Sequence, residues 1–438
     1  MIVKIFVIVL LPLIIMSCGP EAGDVMPAPL VVLLDKGPGG RGKTQRAPLE
    51  LVLFYSNGEM RELDFTPQWS GDIYFNSDGR LAVYNGGGEP LSLDETMRCR
   101  DMSSGKETFA KADGDWVPLG FIDNGTTFVA LKRESKFRLL HEGLAPGVVE
   151  GFTANGYGLK YTMYLIDGLT GETDEGRVIY DASSESMKWE ERIDFMPKLA
   201  CDAGLIFAAL PEFPYIARNI EDDKRAAKLW AMDVHGGEAH VIDLGDRINR
   251  PALFYIVSSD GGSVFFQSQK REEAVVLNLP YYKDSLREWG SLYIWHAGES
   301  QQAGSLNGEQ VKSQLGISAD GAVVLYAGNE YDRVMKCPKE GTLVLYLLKR
   351  GWRGELKLPI SGDVRNVSLS PCGRFVGYMV SRRGGFQLRI LDTTTMKDTL
   401  LSKCGPYSRF YGFAGAGRGD IAVPLLESVL FGCLEETP

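Results

Sequence analysis

The sequence predicts an all-β protein, and three observations lead to this fold class. Glycine is frequent, with 51 glycines among 438 residues, and it lacks a collagen-like period, which indicates many tight turns. Apolar residues alternate mostly with period 2, as in strands that bury one face. No long stretch shows the period of a helix. Because 44% of the residues are apolar and 24% are charged, the chain has enough apolar residues to form a core.

A repeating unit begins with an apolar strand, a turn containing Asp-Gly or a related pair, and a second apolar strand. Ser318-Ala-Asp320-Gly321 followed by Ala-Val-Val-Leu-Tyr326 is a clear copy. In such hairpins Asp or Asn bonds its own backbone, and Gly adopts the left-handed conformation. The turn glycines of the copies are Gly79, Gly125, Gly204, Gly261, Gly321, Gly373 and Gly417.

The second half of the unit is another hairpin, with an aromatic-rich strand, a polar turn and a return strand. Tyr164-Leu-Ile-Asp167-Gly-Leu-Thr170-Gly171 is the clearest example. Four strands in a repeat of about 56 residues are typical of a β-propeller blade. The sequence therefore predicts a β-propeller of seven four-stranded blades. The long spacing from Gly125 to Gly204 leaves open either an insertion near residues 132–160 or an eighth blade.

The combined pattern is S-x-D-G-x-x-h-x-Y followed by h-Y-h-h-D-x-x-T-G, where h is apolar. It resembles the WD40-like repeats of TolB-type propellers. Its second half is similar to the quinoprotein-type repeats of outer-membrane assembly lipoproteins. The resemblance extends over residues 49–435 and implies a protein-binding scaffold in envelope or outer-membrane assembly.

The N-terminus has the features of an export signal. Lys4 precedes an apolar run from Ile5 to Met16, which as a helix covers about 18 Å and is shorter than the roughly 30 Å hydrocarbon core of a membrane. The run therefore predicts a signal peptide over residues 1–17. Ile15-Met16-Ser17-Cys18 resembles a bacterial lipobox, which implies cleavage after Ser17 and attachment of lipid, palmitate included, to Cys18.

Two further segments complete the predicted organisation. Residues 18–48 are rich in Pro and Gly and are expected to form a tether, with one short strand at Leu30–Leu34. Residues 49–438 are expected to form the propeller. Its ends lack complementary halves of a blade, so a hairpin over 51–63 and a hairpin over 410–424 are predicted to pair and close the ring.

Composition and motifs restrict the function. The net charge of −10 argues against nucleic-acid binding and predicts contact with the membrane through the lipid only. Four histidines and the absence of a GxSxG motif predict no metal, no cofactor and no enzyme activity. An enzyme or ligand sensor using the central channel stays an alternative. A surface adhesin using Arg418-Gly419-Asp420 is a minor one.

Long connections between second and third strands indicate a binding face. They cover residues 211–227, 267–290 and 328–341 and mix charges with aromatic residues, as interface anchors do. The sequence predicts that this face binds envelope proteins at the cell membrane or outer membrane. Alternatively, the aromatics fold back over the blade edges. The predicted partner-binding residues are Phe213, Tyr215, Tyr281, Tyr282, Trp289 and Tyr331.

Overall fold

The alternating segments of the sequence become β-strands in a computed structural model of the chain, and no helix occurs among the residues it describes. None of these residues therefore provides an apolar helix long enough to cross a bilayer. The described residues are 30–35, 49–54, 59–65, 73–76, 79–86, 96–122, 125–137, 157–181, 197–210, 212–216, 228–244, 255–267, 292–303, 310–332, 337–338, 344–350, 356–360, 364–382, 385–405 and 408–414.

The described strands are numbered in chain order. The first three, which join the last strand of the chain, are β1 (Leu30–Asp35), β2 (Leu49–Phe54) and β3 (Met60–Leu63). Blade 1 follows with β4 (Ile73–Phe75), β5 (Leu81–Asn85), β6 (Met97–Asp101) and β7 (Lys106–Lys111). Blade 2 contains β8 (Asp115–Phe121), β9 (Thr127–Phe137), β10 (Tyr157–Asp167) and β11 (Arg177–Asp181). Blade 3 contains β12 (Lys198–Ala200), β13 (Leu205–Leu210), β15 (Lys228–Asp233) and β16 (His240–Ile242), with β14 (Tyr215–Ile216) between β13 and β15 in the chain.

The remaining blades continue the same order. Blade 4 contains β17 (Tyr255–Val257), β18 (Ser263–Gln267), β19 (Leu292–His296) and β20 (Glu299–Ala303). Blade 5 contains β21 (Gln310–Ile317), β22 (Val323–Asp332), β24 (Val344–Lys349) and β25 (Leu356–Lys357), with the short β23 (Cys337–Pro338) paired to β22. Blade 6 contains β26 (Val364–Leu369), β27 (Phe375–Arg382), β28 (Gly385–Asp392) and β29 (Lys397–Cys404), and β30 (Arg409–Phe413) follows.

Seven sheets result, and within each of blades 1 to 6 the four main strands pair antiparallel in chain order. The first strand of each blade contacts the first strand of the next blade, in the order β4, β8, β12, β17, β21, β26 and β30. These strands therefore lie innermost, around a common axis. The protein is thus a β-propeller with seven four-stranded blades. The long spacing after Gly125 falls within blade 2, whose β9 and β10 are extended, and the described strands form no eighth blade.

Blade 7 closes the ring with strands from both ends of the described chain. Its order is β3-β2-β1-β30, so three N-terminal strands combine with one C-terminal strand. The hairpin over 51–63 was predicted to pair directly with the hairpin over 410–424. In the structure β1 lies between β2 and β30 instead. The strand Leu30–Asp35 therefore belongs to the propeller, which differs from the predicted boundary at residue 49. Residues 415–424 of the predicted second hairpin lie outside the described residues.

Alternation along the strands builds the core between blades. In β5, Ala82 and Tyr84 face blade 7 whereas Leu81 and Val83 face blade 2. Seven apolar clusters of this kind occur, one at each interface between neighbouring blades. Since every blade packs through both faces, the ring of interfaces is continuous, including the interface between blades 7 and 1.

Candidate functional site

The propeller has two faces with different structures. The turn face carries the connections between first and second strands and between third and fourth strands, such as 318–322 and 393–396. The loop face carries the connections between second and third strands, and it is the face predicted to bind partners.

Side chains and glycine together shape the turns of the turn face. In blade 5, the Ser318 hydroxyl donates to Asp320 at 2.7 Å and accepts from the Val323 amide at 2.9 Å. Asp320 also accepts from the Ala322 amide at 3.0 Å. Gly321 has the left-handed φ of +64°, as predicted from the Asp-Gly pattern.

Successive turns are also bonded to each other. The Asp260 amide of blade 4 donates to the Ala319 carbonyl of blade 5 at 3.1 Å. The Ala319 amide donates in turn to the Pro371 carbonyl of blade 6 at 2.8 Å. Amides in blade 3 donate to the Ser259 carbonyl at 2.9 and 3.0 Å. The turn face from blade 3 to blade 6 is therefore a hydrogen-bonded arc.

The aspartates that end the third strands are structural acids. Each accepts a hydrogen bond from the backbone of its own turn, and they are Asp101, Asp167, Asp233 and Asp392. Hydrogen bonds from Ser103 lower the pKa of Asp101 to about 2, and hydrogen bonds from Arg374 lower the pKa of Asp392 to about 2. Both carboxylates stay ionised at neutral pH, so they hold turns and are poor proton donors.

Asp202 is a different acid, which the sequence analysis did not single out. Partial burial and then the nearby charge of Asp260 raise the pKa of Asp202. It occupies the turn position held by Ser259, Ala319 and Pro371 in the next three blades, so the sequence signal was a carboxylate at a position that is uncharged in those three blades.

Extended strands raise parts of the loop face. Strands β9 and β10 have 11 residues each and β22 has 10, whereas β5 and β18 have five. The β9–β10 pairing continues to Tyr157 opposite Phe137. Ion pairs hold β9 to the start of β8 and to the turn before it, because Arg133 pairs with Asp115 and Lys132 contacts Asp113 at 2.8 Å.

The structure describes three of the six predicted partner-binding residues. Phe213 is half-buried and packs against the apolar cluster between blades 2 and 3. Tyr215 begins β14, which pairs parallel with β11 of blade 2, and Tyr331 lies in β22 opposite Pro338 of β23. The position of Phe213 agrees with the alternative that aromatics fold over blade edges. Tyr281, Tyr282 and Trp289 lie outside the described residues, as do Cys18 and the tripeptide 418–420.

Four cysteines in the described part of the chain carry free thiols. Cys99, Cys201 and Cys404 are buried, and Cys372 is exposed in the turn of blade 6. Burial raises the pKa of the Cys99 and Cys404 thiols to about 11, so both are protonated and unreactive at neutral pH. Among the described residues, no three His, Cys, Asp or Glu side chains converge on a position for a metal ion.

Comparison with known proteins gives a likeness of fold. No protein-family model and no curated protein matches the chain. Acylaminoacyl peptidase from Pyrococcus horikoshii matches with 14% identity and a TM-score of 0.49, over 81% of this chain and 48% of the peptidase. TolB from Acinetobacter baumannii matches with 13% identity and a TM-score of 0.39, over 84% of this chain and 81% of TolB.

An oligogalacturonate lyase in complex with manganese matches with 13% identity and a TM-score of 0.45, over 78% of this chain and 82% of the lyase. This chain spans about half the length of the peptidase. The prediction that the chain is not an enzyme is wrong as an inference from this architecture, because the proteins that match its fold include a peptidase and a lyase.

Proposed function

We propose that this protein is an exported lipoprotein, anchored through Cys18, whose propeller binds envelope proteins through its loop face. The observation that carries the binding proposal is the difference between the two faces. Hydrogen bonds join the turns of the turn face from blade 3 to blade 6, whereas the loop face has raised strands and long connections rich in aromatic and charged residues. Connections with this mixture of aromatic and charged residues suit a protein interface.

Support for the anchor comes from the first 18 residues. A short apolar run followed by Ser17 and Cys18 suits processing and acylation, and two or more acyl chains give stable attachment to a membrane. The negative net charge of the chain is unfavourable for contact between the propeller and anionic lipid. The proposal therefore places the propeller away from the bilayer surface, at the cell membrane or outer membrane.

The anchor is tested with Cys18→Ser in cells supplied with radioactive palmitate. We expect the native chain to incorporate label and to fractionate with membranes, and the variant to lose both properties. Labelling of the variant equal to that of the native chain would reject Cys18 as the lipid site.

The binding face is tested by crosslinking in intact cells and identification of the partners. We expect Tyr281→Ala, Tyr282→Ala and Trp289→Ala together to abolish at least one crosslinked partner. The matched control replaces three exposed apolar residues of the blades by Ala, namely Met60, Leu169 and Leu400. If every crosslink survives the loop substitutions, or if the control removes the same partners, the loop face is not the binding surface.

A further inference from the structure

Blade 4 departs from the repeat at two paired positions. The third strand ends in Asp in blades 1, 2, 3 and 6, but in His296 in blade 4. The residue paired with His296 on the second strand is Ser263. At the same position the other five of blades 1 to 6 have Leu81, Thr127, Leu205, Val323 and Phe375. A third residue, Arg350, lies in the adjoining turn of blade 5 and contacts His296.

These three side chains form a contiguous group. The Ser263 hydroxyl lies 2.8 Å from Nδ1 of His296. One guanidinium nitrogen of Arg350, Nη1, lies 2.9 Å from Nδ1 and 3.0 Å from Nε2 of the same ring. An atom in the ring plane at these two distances would overlap Cε1, so Nη1 lies over the face of the ring. The guanidinium therefore contacts the face of the imidazole through Nη1.

A contact through one guanidinium nitrogen leaves other hydrogen-bonding groups of Arg350 and His296 available at the surface. Arg350 is exposed and pairs with no carboxylate of the described residues; its backbone amide donates to the Ala322 carbonyl. His296 is half-buried, and within the described residues its ring contacts only Ser263 and Arg350 among hydrogen-bonding groups. Within the part of the chain that the structure describes, neither Nε2 in the ring plane nor the remaining guanidinium N–H groups have an acceptor.

We propose that Ser263, His296 and Arg350 form a binding site for a single carboxylate group on the turn face, between blades 4 and 5. The guanidinium fork donates two parallel hydrogen bonds to a carboxylate. The Nε2 N–H of His296 donates a further one, and the buried Ser263 holds the ring from the opposite nitrogen.

The surrounding charges set the ligand class. Glu299 lies opposite His296 in its hairpin, and Asp260 lies in the first turn of the same blade. Repulsion from these two acids is greater for a doubly charged phosphate than for a monoanion. Since Arg350 is the one permanent cation of the group, a monoanion is the ligand that matches its charge. The site is independent of the lipid anchor and of the loop face.

The test titrates the full chain with sodium acetate, against sodium chloride at equal ionic strength, and follows histidine side-chain ¹⁵N resonances by NMR. The His296 signal is assigned by its loss in His296→Gln. We expect a saturable shift of Nε2 with a dissociation constant on the order of 1–10 mM.

Variants separate the site from general salt effects. Arg350→Gln should weaken acetate binding about tenfold or more, the size expected for charge-assisted hydrogen bonds. Arg350→Lys keeps the positive charge and loses the guanidinium fork, so it should also weaken acetate binding. It provides the test if Arg350→Gln does not fold. Arg382→Gln, which changes an exposed arginine of blade 6, is the control and should bind normally. Unsaturable shifts, equal binding by both Arg350 variants and the native chain, or tighter binding of phosphate than of acetate would each overturn the proposal.

Discussion

Gly321 joins two blades at the scale of a single residue. Its φ is +64°, and an added Cβ would overlap the Ser263 hydroxyl of the preceding blade. Gly79 has nearly the same φ, +69°, yet no heavy atom lies within 4 Å of its hypothetical Cβ. The two glycines therefore separate the cost of backbone strain from the cost of close packing between blades.

We expect Gly79→Ala to lower the free energy of unfolding by about 1–2 kcal/mol, the cost of a left-handed alanine. Gly321→Ala should lower it by about 1–3 kcal/mol more, because the added methyl group forces neighbouring atoms apart. Urea unfolding of both variants measures the difference. Equal losses would mean that the contact with Ser263 yields without cost.

Asp392 provides a pH dependence with a defined sign. Hydrogen bonds from Arg374 and from the Thr394 amide lower its pKa to about 2, below the value of about 4 in an unfolded chain. A lowered pKa stabilises the folded state above the unfolded value, and the stabilisation is lost as the pH falls from about 4 to about 2.

Asp392→Asn should therefore reduce the free energy of unfolding at neutral pH by a modest amount, about 0.5–1 kcal/mol, because the Arg374 partner is half-exposed and solvent screens the pair. The difference from the native chain should shrink as the pH falls from about 4 and vanish below about pH 2. Urea unfolding of both chains between neutral pH and about pH 2 measures this difference in the free energy of unfolding. Glu175→Gln, at an exposed position of blade 2, is the control, and a pH-independent difference for Asp392→Asn would contradict the prediction.

At the scale of the element, β1 determines how the ring closes. Four of its side chains are buried, with exposed fractions of 0 to 6%, namely Leu30, Val31, Val32 and Leu34. They contribute to the clusters on both sides of blade 7. Burial of one such side chain stabilises a fold by about 1.5–3 kcal/mol, so the strand contributes an amount comparable with the net stability of a typical domain.

Two truncations test this role. A chain that starts at residue 30 should fold, because it keeps β1 between β2 and β30. A chain that starts at residue 49 should aggregate or unfold, because β2 and β30 lose their shared partner. Circular dichroism and gel filtration measure the outcome. Equal folding of the two chains would show that β1 is dispensable for closure.

The segment 212–216 tests whether loop aromatics stabilise blades. Phe213 packs against the cluster between blades 2 and 3, so Phe213→Ala should lower the free energy of unfolding by about 1–3 kcal/mol for a half-buried aromatic. Thermal and urea unfolding measure the change. An unchanged stability, combined with loss of a crosslinked partner, would instead support a role in binding.

At the scale of the whole molecule, three buried thiols report on three different blade interfaces. Cys99 lies between blades 1 and 2, Cys201 between blades 2 and 3, and Cys404 between blades 6 and 7. A ring in which every blade packs on both neighbours should open as a unit.

We expect Cys99, Cys201 and Cys404 to become alkylated at the same urea concentration, whereas the exposed Cys372 reacts without denaturant. Mass spectrometry of peptides after pulsed alkylation measures each site. Earlier reaction of Cys404 alone would indicate that the ring opens beside blade 7 before the other blades separate.

The sequence by itself determined the repeat and the turns. Alternating apolar residues and the Asp-Gly pairs are local signals, because side-chain direction in a strand and left-handed glycine depend on neighbouring residues only. They identified the fold class, seven blades and the left-handed conformation of Gly261, Gly321 and Gly373. The position of Cys18 after an apolar run is likewise a local signal, and the lipid attachment stays a prediction.

Only the tertiary structure decided which strands close the ring and which side chains meet between blades. Val31 pairs with Gly412, more than 380 positions along the chain, and no local pattern encodes such a register. Ser263, His296 and Arg350 come together because the ends of two paired strands of blade 4 meet a turn of blade 5 on the turn face. Pairing of distant segments depends on the burial of whole blade faces, and that burial exists only once the ring has formed.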